Sequence, residues 1–346
     1  MPPKVSICLP VRNAAPFLAE RIASIKAQTL TDWEVVALDG FSDDGSWEQI
    51  LAWASCDPRV RALQEPPAGI YPAFNRCIEM ATGPFIYIAT ADDTMAPDCL
   101  DKMVAALEAH PDCGLCQCRL QIIDEQSTPY PGQHQWNHYT LGIYDQALVQ
   151  RRNLRRAPHD GLLHPALFTV YTSVTQLLIR RAVFTRVGLF DGRWGSISDF
   201  EWGMRTGLME NCIYIPDMLA TWRQHGRQAT QDVHSPAARV KMIEMSQNAF
   251  NRTRDIGPPL LAKIDAKAFT AFLEKDLLEL TCQSASSQRT CLVYLLGQLL
   301  FHPRWVITCV ITRLRRHSWG YWANEIRYKD LRRLLVKVHA PQPEFL

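Results

Sequence analysis

From Val5 onward the chain alternates short apolar runs with segments whose apolar positions recur every three or four residues. Residues 5–10 and Trp33–Asp39, the second with Val35, Val36 and Leu38 in near-continuous succession, have the composition of strands buried on both faces. Val60–Gln64, 85–90 and 114–124 repeat that pattern. Between them, Phe17, Leu18, Ile22 and Ile25 fall at helical spacing and predict a helix over 15–28. Further helices are predicted over 46–55, 73–81 and 97–109. Such alternation predicts right-handed βαβ units, and hence an α/β fold with a mainly parallel sheet flanked by helices. Residues 129–165, rich in His, Pro, Gly, Asn and Gln, read as a long loop. Strand character returns at 174–179 and 212–215, helical character at 180–186 and 204–208, and beyond residue 236 the pattern is helical to the end. The expected division is a Rossmann-like domain over 1–234 and a C-terminal helical region over 235–346.

Composition narrows the class. With 47% hydrophobic and 21% charged residues, a 346-residue chain can bury a substantial core, which sets disorder aside for most of its length. A formal net charge of +2 gives no ground for a nucleic-acid partner. The charge is uneven, however: from Arg289 to Leu346 ten Lys/Arg face three Asp/Glu. Eleven cysteines, an odd number, include Cys8, Cys77 and Cys309 in apolar runs and point to a reducing, cytoplasmic setting. Cys113, Cys116 and Cys118 form the tight group, but no second CxxC follows, so a buried strand is favoured over a zinc knuckle. The opening Met-Pro-Pro-Lys runs straight into strand pattern, and no secretion signal is expected.

Ligands of parallel α/β sheets sit outside the carboxyl ends of the strands, here residues 10–13, 39–44, 65–71 and 90–93. Three of these segments carry carboxylates. No GxGxxG or GxxxxGK[ST] occurs, which argues against dinucleotide-dependent dehydrogenases and P-loop enzymes. Asp92 and Asp93 repel each other unless a cation or hydrogen-bond donors neutralise them, and a hard divalent ion would do so. Either acid would equally cap the helix that Pro97 helps to start. In Asp39-Gly-Phe-Ser-Asp-Asp-Gly-Ser46, Asp39 is placed to accept from a base or ribose, while Ser42 and Asp44 shape and cap the turn. Gly188-Leu-Phe-Asp191 precedes Ser198-Asp199-Phe-Glu201-Trp-Gly-Met-Arg205, which reads either as a capped surface helix or as the seat of a general base. In Trp222-Arg223-Gln-His225, the Arg and His suit phosphate oxygens or a metal shell.

Taken in order, residues 5–10 with Asn13, Ser24-Ile-x-x-Gln28-Thr29, Asp39-Gly-x-Ser-x-Asp44-Gly, Gly69-Ile-Tyr, Ala73-x-Asn75, Ala81-Thr-Gly83, Asp92-Asp93 and Pro97 resemble family 2 glycosyltransferases of the GT-A fold over about residues 4–230. The run Glu65-Pro-Pro-Ala-Gly-Ile-Tyr-Pro-Ala-Phe-Asn-Arg is similar to the branch acting in bacterial exopolysaccharide and O-antigen assembly. The resemblance implies a UDP- or GDP-sugar donor, Mn2+ or Mg2+ as cofactor, and transfer with inversion to a saccharide or lipid-linked acceptor. Position by position, it places Pro10, Asn13, Asp39 and Ser42 in the nucleotide site, with Asp39 on the nucleobase. Asp92 falls near the ribose or diphosphate, Asp93 on the metal, and Arg223 and His225 on the diphosphate. Asp199 corresponds to the catalytic base, with Glu201 in reserve. Thr90 stands where the family has the first acid of its Asp-x-Asp-like motif, and Pro72 where the branch often has Asp. Ser198 replaces the common Glu before the catalytic Asp, as in that branch.

Two other classes share parts of the pattern. A nucleotidyltransferase would carry a Gly-rich basic segment where this chain has Val11-Arg-Asn-Ala-Ala15, and Thr90 and Pro72 raise a degenerate transferase acting as a binding or scaffold subunit. In the tail, the apolar runs 291–300 and 305–314 are each too short to span a bilayer. Arg313, Arg315, Arg316, Trp305, Trp319, Tyr321 and Trp322 flank them. Residues 289–322 therefore suit a peripheral contact with the inner face of the cell membrane, packing on the catalytic core, or a homodimer contact.

Overall fold

The computed structural model describes residues 2–130, 147–167, 169–226, 236–265, 331–337 and 339–346, with the single positions 270 and 296. Its first part follows the predicted alternation: β1 (Val5–Val11), α1 (Ala15–Lys26), β2 (Trp33–Asp39), α2 (Ser46–Cys56), β3 (Val60–Gln64), α3 (Ile70–Met80), β4 (Phe85–Ile88) and α4 (Cys99–Ala109). Then come β5 (Cys113–Ile123), α5 (Ala147–Gln150), β6 (Asn153–Arg155), α6 (His159–Leu167), β7 (Leu177–Arg180), α7 (Arg181–Val187), α8 (Ser198–Met209) and β8 (Asn211–Arg223). Last are α9 (Pro236–Thr253), α10 (Pro259–Ala262) and β9 (Glu344–Phe345). Cys113, Cys116 and Cys118 all lie buried on β5.

Apolar side chains alternate between two cores, one on each face of the sheet. Ile7, Leu9, Val35, Ala37, Phe85 and Tyr87 point to the face covered by α1, α2 and α4. Cys8, Val36, Leu38, Ile86 and Ile88 point to the other, covered by α3, α6, α8 and α9. Burial on both sides is why these strands read as continuous apolar runs.

The nine strands run in the order β3-β2-β1-β4-β7-β5-β8-β6-β9. The α/β class is as expected, but the parallel register is confined to β3-β2-β1-β4 and to the β5–β8 pair. β7 lies antiparallel to both its neighbours, and β6 is antiparallel to β8 and β9. Hydrophobic periodicity reports which faces are buried and carries no information on strand direction.

The loop expected over 129–165 contains β6 and most of α6. Its polar residues are inside the protein rather than in solvent: Arg155 Nε donates to both Asp160 oxygens (2.9 and 3.0 Å), His159 Nδ1 lies 2.8 Å from Oδ1, and the Tyr171 hydroxyl donates to Oδ2 (3.0 Å). A satisfied polar cluster of this kind is indistinguishable from a loop by composition.

The expected boundary at 234/235 and the 289–322 segment, apart from position 296, lie outside the described residues. Past the boundary, Met242, Met245, Ala249 and Phe250 of α9 join the same core as Trp202, Met204 and Leu208 of α8. Among the described residues no helix is long and apolar enough to cross a membrane.

α8 packs on α6 at backbone contact. A Cβ at Gly161 would stand 2.3 Å from the Leu208 amide, and one at Gly207 would stand 2.4 Å from the Gly161 amide. Gly207→Ala is therefore expected to destabilise the fold by about 3 kcal/mol, because the added methyl meets backbone rather than a movable side-chain end. Chemical denaturation measures this, and a loss within the roughly 0.5 kcal/mol typical of surface substitutions would refute the close-packing argument.

Candidate functional site

β1 and β2 end level with each other, Val11 opposite Asp39, and the turns beyond them are tied together. The Asn13 amide donates to Ser42 Oγ (2.9 Å), the Asp43 amide to Asn13 Oδ1 (3.1 Å) and the Ala15 amide to Asp44 (2.9 Å). Asp39 is wholly buried and accepts from the Ser42 amide (2.9 Å), the Ser42 hydroxyl (2.5 Å) and Gln64 Nε2 (2.9 Å). Asn13, Asp39 and Ser42, expected at a ligand, thus also fix the two turns. Beside these turns opens a cavity of about 540 Å³, lined by Pro10, Arg12 and Gly40 on the strand ends and by Pro67, Pro72 and Asn75 opposite. Pro10 is the residue of the expected nucleotide site that lines it. Nothing in the sequence distinguishes Arg12, which stands between two motif residues.

The acid turn follows β4. Asp93 is turned inward, 2% exposed, with Oδ1 accepting from the Arg223 amide (2.7 Å) and Oδ2 from the Thr90 hydroxyl. Burial, with repulsion from Asp92 added, pushes its carboxyl up to about 7. Thr90, where the family pattern has an acid, gives Asp93 a neutral donor in place of a third negative charge. From beneath, the fully buried Arg21 donates Nε to the Thr90 carbonyl (2.8 Å), a role that sequence reasoning missed. Asp92 keeps 29% of its side chain exposed and meets His225 Nε2 at 2.9 Å.

Arg223 lies buried behind the turn. Its Nε donates to the Asp92 carbonyl (2.7 Å), Nη1 to the Asp124 carbonyl (3.1 Å) and Ser127 Oγ (2.8 Å), and Nη2 to Glu20 (2.6 Å). The expected diphosphate contact is therefore a guanidinium engaged in holding the turn. Among the described residues no group of three or more His, Cys, Asp or Glu converges on one point. Asp92 is the carboxylate presented outward, with the largely buried His225 against it, and a hard divalent ion completed by substrate oxygens and water needs few protein ligands. Those two residues fit such an ion, whereas Asp93 has both oxygens engaged within the protein.

The third group forms around α3. Pro72 is the third residue of this helix, where its missing N–H has no intrahelical partner to lose, so the departure from the branch pattern leaves the helix intact. Tyr71 donates its hydroxyl to Asp199 Oδ1 (2.7 Å). Asp199, in the first turn of α8, is partly exposed as a residue, but burial of its carboxyl raises it to about 6. The Asn75 amide group donates to the Phe190 carbonyl (2.8 Å) and accepts from the Phe190 amide (3.0 Å), joining the cavity wall to the Gly188–Asp191 segment. Tyr71 and Asn75 stand in motifs visible in the sequence, but only the fold supplies their partners.

Glu201 is unsuited to its expected reserve role. It is fully buried and bidentate with Arg205 (2.8 and 2.9 Å), and Asn248 also donates to it (3.1 Å). Arg205 donates in addition to the Val187 and Leu189 carbonyls, so this ion pair holds the same segment that Asn75 grips.

Residues 6–168 match the family described as glycosyl transferase family 2. The glycosyltransferase YibD of Escherichia coli K12 is 34% identical over 211 residues, covering 54% of this chain and 60% of YibD. The glycosyltransferase EpsJ of Bacillus subtilis 168 is 26% identical over 246 residues, 68% of this chain and 66% of EpsJ. The chain spans less than two thirds of the length of either, and 19% of the Sinorhizobium fredii protein y4gI, to which it is 32% identical over 173 residues. Among solved structures, Staphylococcus aureus TarS 1–349 with UDP-GlcNAc superposes with a TM-score of 0.53 at 14% identity, over 96% of this chain and 92% of that one. The mannosyltransferase PcManGT of Pyrobaculum calidifontis, with GDP-Man and Mn2+, gives 0.51 at 19% identity, over 92% and 89%. At such identities the likeness shows the fold.

Arg205→Met would leave the buried Glu201 with only Asn248 (3.1 Å) and the half-exposed Arg252 (3.6 Å) as partners, and it is expected to lower unfolding free energy by about 3 kcal/mol in denaturant titrations. A second expectation concerns Asp199. Its raised carboxyl binds a proton more tightly folded than unfolded, so its contribution to stability falls as pH rises from about 4 to about 6. Above that window Asp199→Asn should be more stable than wild type by about 1–2 kcal/mol, and the gain should vanish near pH 3.5. Thermal melts at the two extremes decide it, since an equal difference at both would exclude the linkage.

Proposed function

With residues 6–168 a family 2 glycosyl transferase domain of the GT-A fold, we propose that the chain transfers a sugar from a nucleoside-diphosphate sugar to an acceptor hydroxyl with inversion. The observation that carries this reading is Asp199: one carboxylate raised to about 6, bonded to Tyr71, one residue along α3 from the cavity-lining Pro72. A group so tuned is ionised at neutral pH and still basic enough to receive a proton during attack. The acceptor oxygen bonds to the anomeric carbon as its proton passes to Asp199, and the bond from that carbon to the diphosphate breaks with the electron pair leaving on phosphate. One base and one in-line displacement give inversion, unlike the two-carboxylate double displacement of retaining hydrolases. The cavity at the ends of β1 and β2 receives the nucleoside, and Asp92 with His225 would hold Mn2+ or Mg2+. When bound, that ion supplies Lewis-acid stabilisation of the departing diphosphate.

The UDP-GlcNAc and the GDP-Man with Mn2+ bound by the two structural relatives support a nucleotide-sugar donor and a divalent cofactor. A role in bacterial surface polysaccharide or glycoconjugate synthesis, with a saccharide or lipid-linked acceptor, is supported by a PGL/p-HBAD biosynthesis glycosyltransferase of Mycobacterium bovis, 26% identical over 206 residues. A cytoplasmic location, at the inner membrane face through 289–322, completes the proposal.

The test is a UDP- and GDP-sugar screen with Mn2+ and Mg2+, following binding and transfer separately. Asp199→Asn should keep donor affinity and lose transfer by about 10²–10⁴-fold. Asp92→Ala should lose the metal-dependent part of donor binding. The wild-type rate should rise with pH through about 6 as Asp199 ionises and level off above it. If no nucleotide sugar binds under any metal condition, the chain is a scaffold subunit instead, and if Asp199→Asn transfers normally, the base is another residue.

A further inference from the structure

We propose that Tyr71 is a positioning residue for the base, its one hydroxyl proton shared between Asp199 and the Ser196 carbonyl and so tying that carboxylate to the turn ahead of α8. This rests on the reading of Asp199 as the base. The Tyr71 hydroxyl lies 2.7 Å from Asp199 Oδ1 and 3.0 Å from the Ser196 carbonyl oxygen. A phenol has a single hydrogen to donate, so the two acceptors compete for it. Burial and the neighbouring carboxylate push the phenol far above its ordinary range, and the hydrogen therefore stays in place at any working pH. The ring that carries it is buried and packs against Phe74 and Phe190.

The turn that Tyr71 grips is pinned residue by residue. The successive carbonyls of Trp194, Gly195 and Ser196 accept from Lys241 (2.8 Å), from the Ser198 hydroxyl (2.8 Å) and from Tyr71. Tyr71 is the donor that joins this turn to Asp199. Charged side chains on the elements around Asp199 are engaged with one another: Arg76 of α3 with Glu65 and Glu79, Arg193 and Arg252 with Asp191, and Arg205 and Arg252 with Glu201. The chief influences on the Asp199 carboxyl are burial, which raises it, and the Tyr71 hydroxyl with the amides of Asp199 and Phe200, which lower it. Donation from Tyr71 thus favours the charged form. When Asp199 takes up a proton, the same hydrogen can turn to the Ser196 carbonyl, so the hydroxyl has an acceptor in either state.

Carbon NMR of the Asp199 carboxyl and pH–rate profiles, in wild type and in Tyr71→Phe, test the assignment, with Asp199→Asn identifying the signal. Phenylalanine keeps the packed ring and deletes only the hydroxyl, so thermal melts should show a folded protein. Its Asp199 should titrate about one pH unit above wild type. Transfer should then be slowed about fivefold more at about pH 6 than at about pH 8.5, where the carboxyl is ionised in both proteins. In an Asp199→Asn background the Tyr71 change should bring no such pH dependence. An Asp199 titration unmoved by Tyr71→Phe, or a loss of transfer equal at the two pH values, would overturn the proposal and leave the transferase reading intact. Normal transfer by Asp199→Asn is the distinguishable case: it would remove the base, and the role of Tyr71 with it, whatever the titration shows.

Discussion

A guanidinium withdrawn from water loses the hydration of its charge and its five N–H donors, and at Arg223 the protein groups that replace it organise the acid turn. Its donors are met by the backbone after β4, by the turn after β5 and by Glu20 of α1, while its own amide takes Asp93. Elements far apart in sequence are thus held to one point. The cost of leaving any of these donors unmet, several kcal/mol for a buried charge, fixes the place of Asp92 and His225 more firmly than any surface contact would. The two carboxylates of the turn are thus set in place by the fold itself, which leaves little ordering for any ligand that binds there.

The other half of the site hangs on α3. One helix presents Pro72 and Asn75 to the cavity and Tyr71 to Asp199, so the cavity and the candidate base share a single rigid support. Asn75 and the Glu201–Arg205 pair both grip the 187–190 backbone, which ties the start of α8 to α3. Such a shared frame would serve the transfer proposed above, which needs a base on one side of the reacting carbon and a leaving group on the other.

Much of this was legible in the sequence because strand ends are where parallel sheets place their chemistry. Residues 39–46 and Asp92 stand out as turns and carboxylates after apolar runs, and both segments lie just beyond the carboxyl ends of strands, β2 and β4. What was not legible has physical reasons. Whether Asp92 or Asp93 faces outward depends on which one Thr90 and the Arg223 amide capture, a matter of three-dimensional hydrogen bonding between residues 130 positions apart. Glu201 stays in reserve as a base on sequence alone, and only the fold shows how completely Arg205 engages it. The polar stretch at Asn153–Asp160 resembles solvent-exposed loop because composition records polarity and not its satisfaction. Arg12 and Arg21 carry no signal, since a lone arginine in a turn or helix is ordinary.

The antiparallel β7 has a bearing on how this fold is reached. It lies between β4 and β5, so β5 cannot join the β3-β2-β1-β4 block in one sheet until residue 180 has arrived. The β3-β2-β1-β4 block can form early from near neighbours, but it then shows a bare strand edge along β4. β5 must wait for a partner more than 50 residues further along the chain. Pairing at that range is the slow kind, because loop closure comes before any contact that rewards it. Assembly of this protein is therefore gated by one four-residue strand, and an open hydrophobic edge is the hazard the growing chain carries until that strand docks.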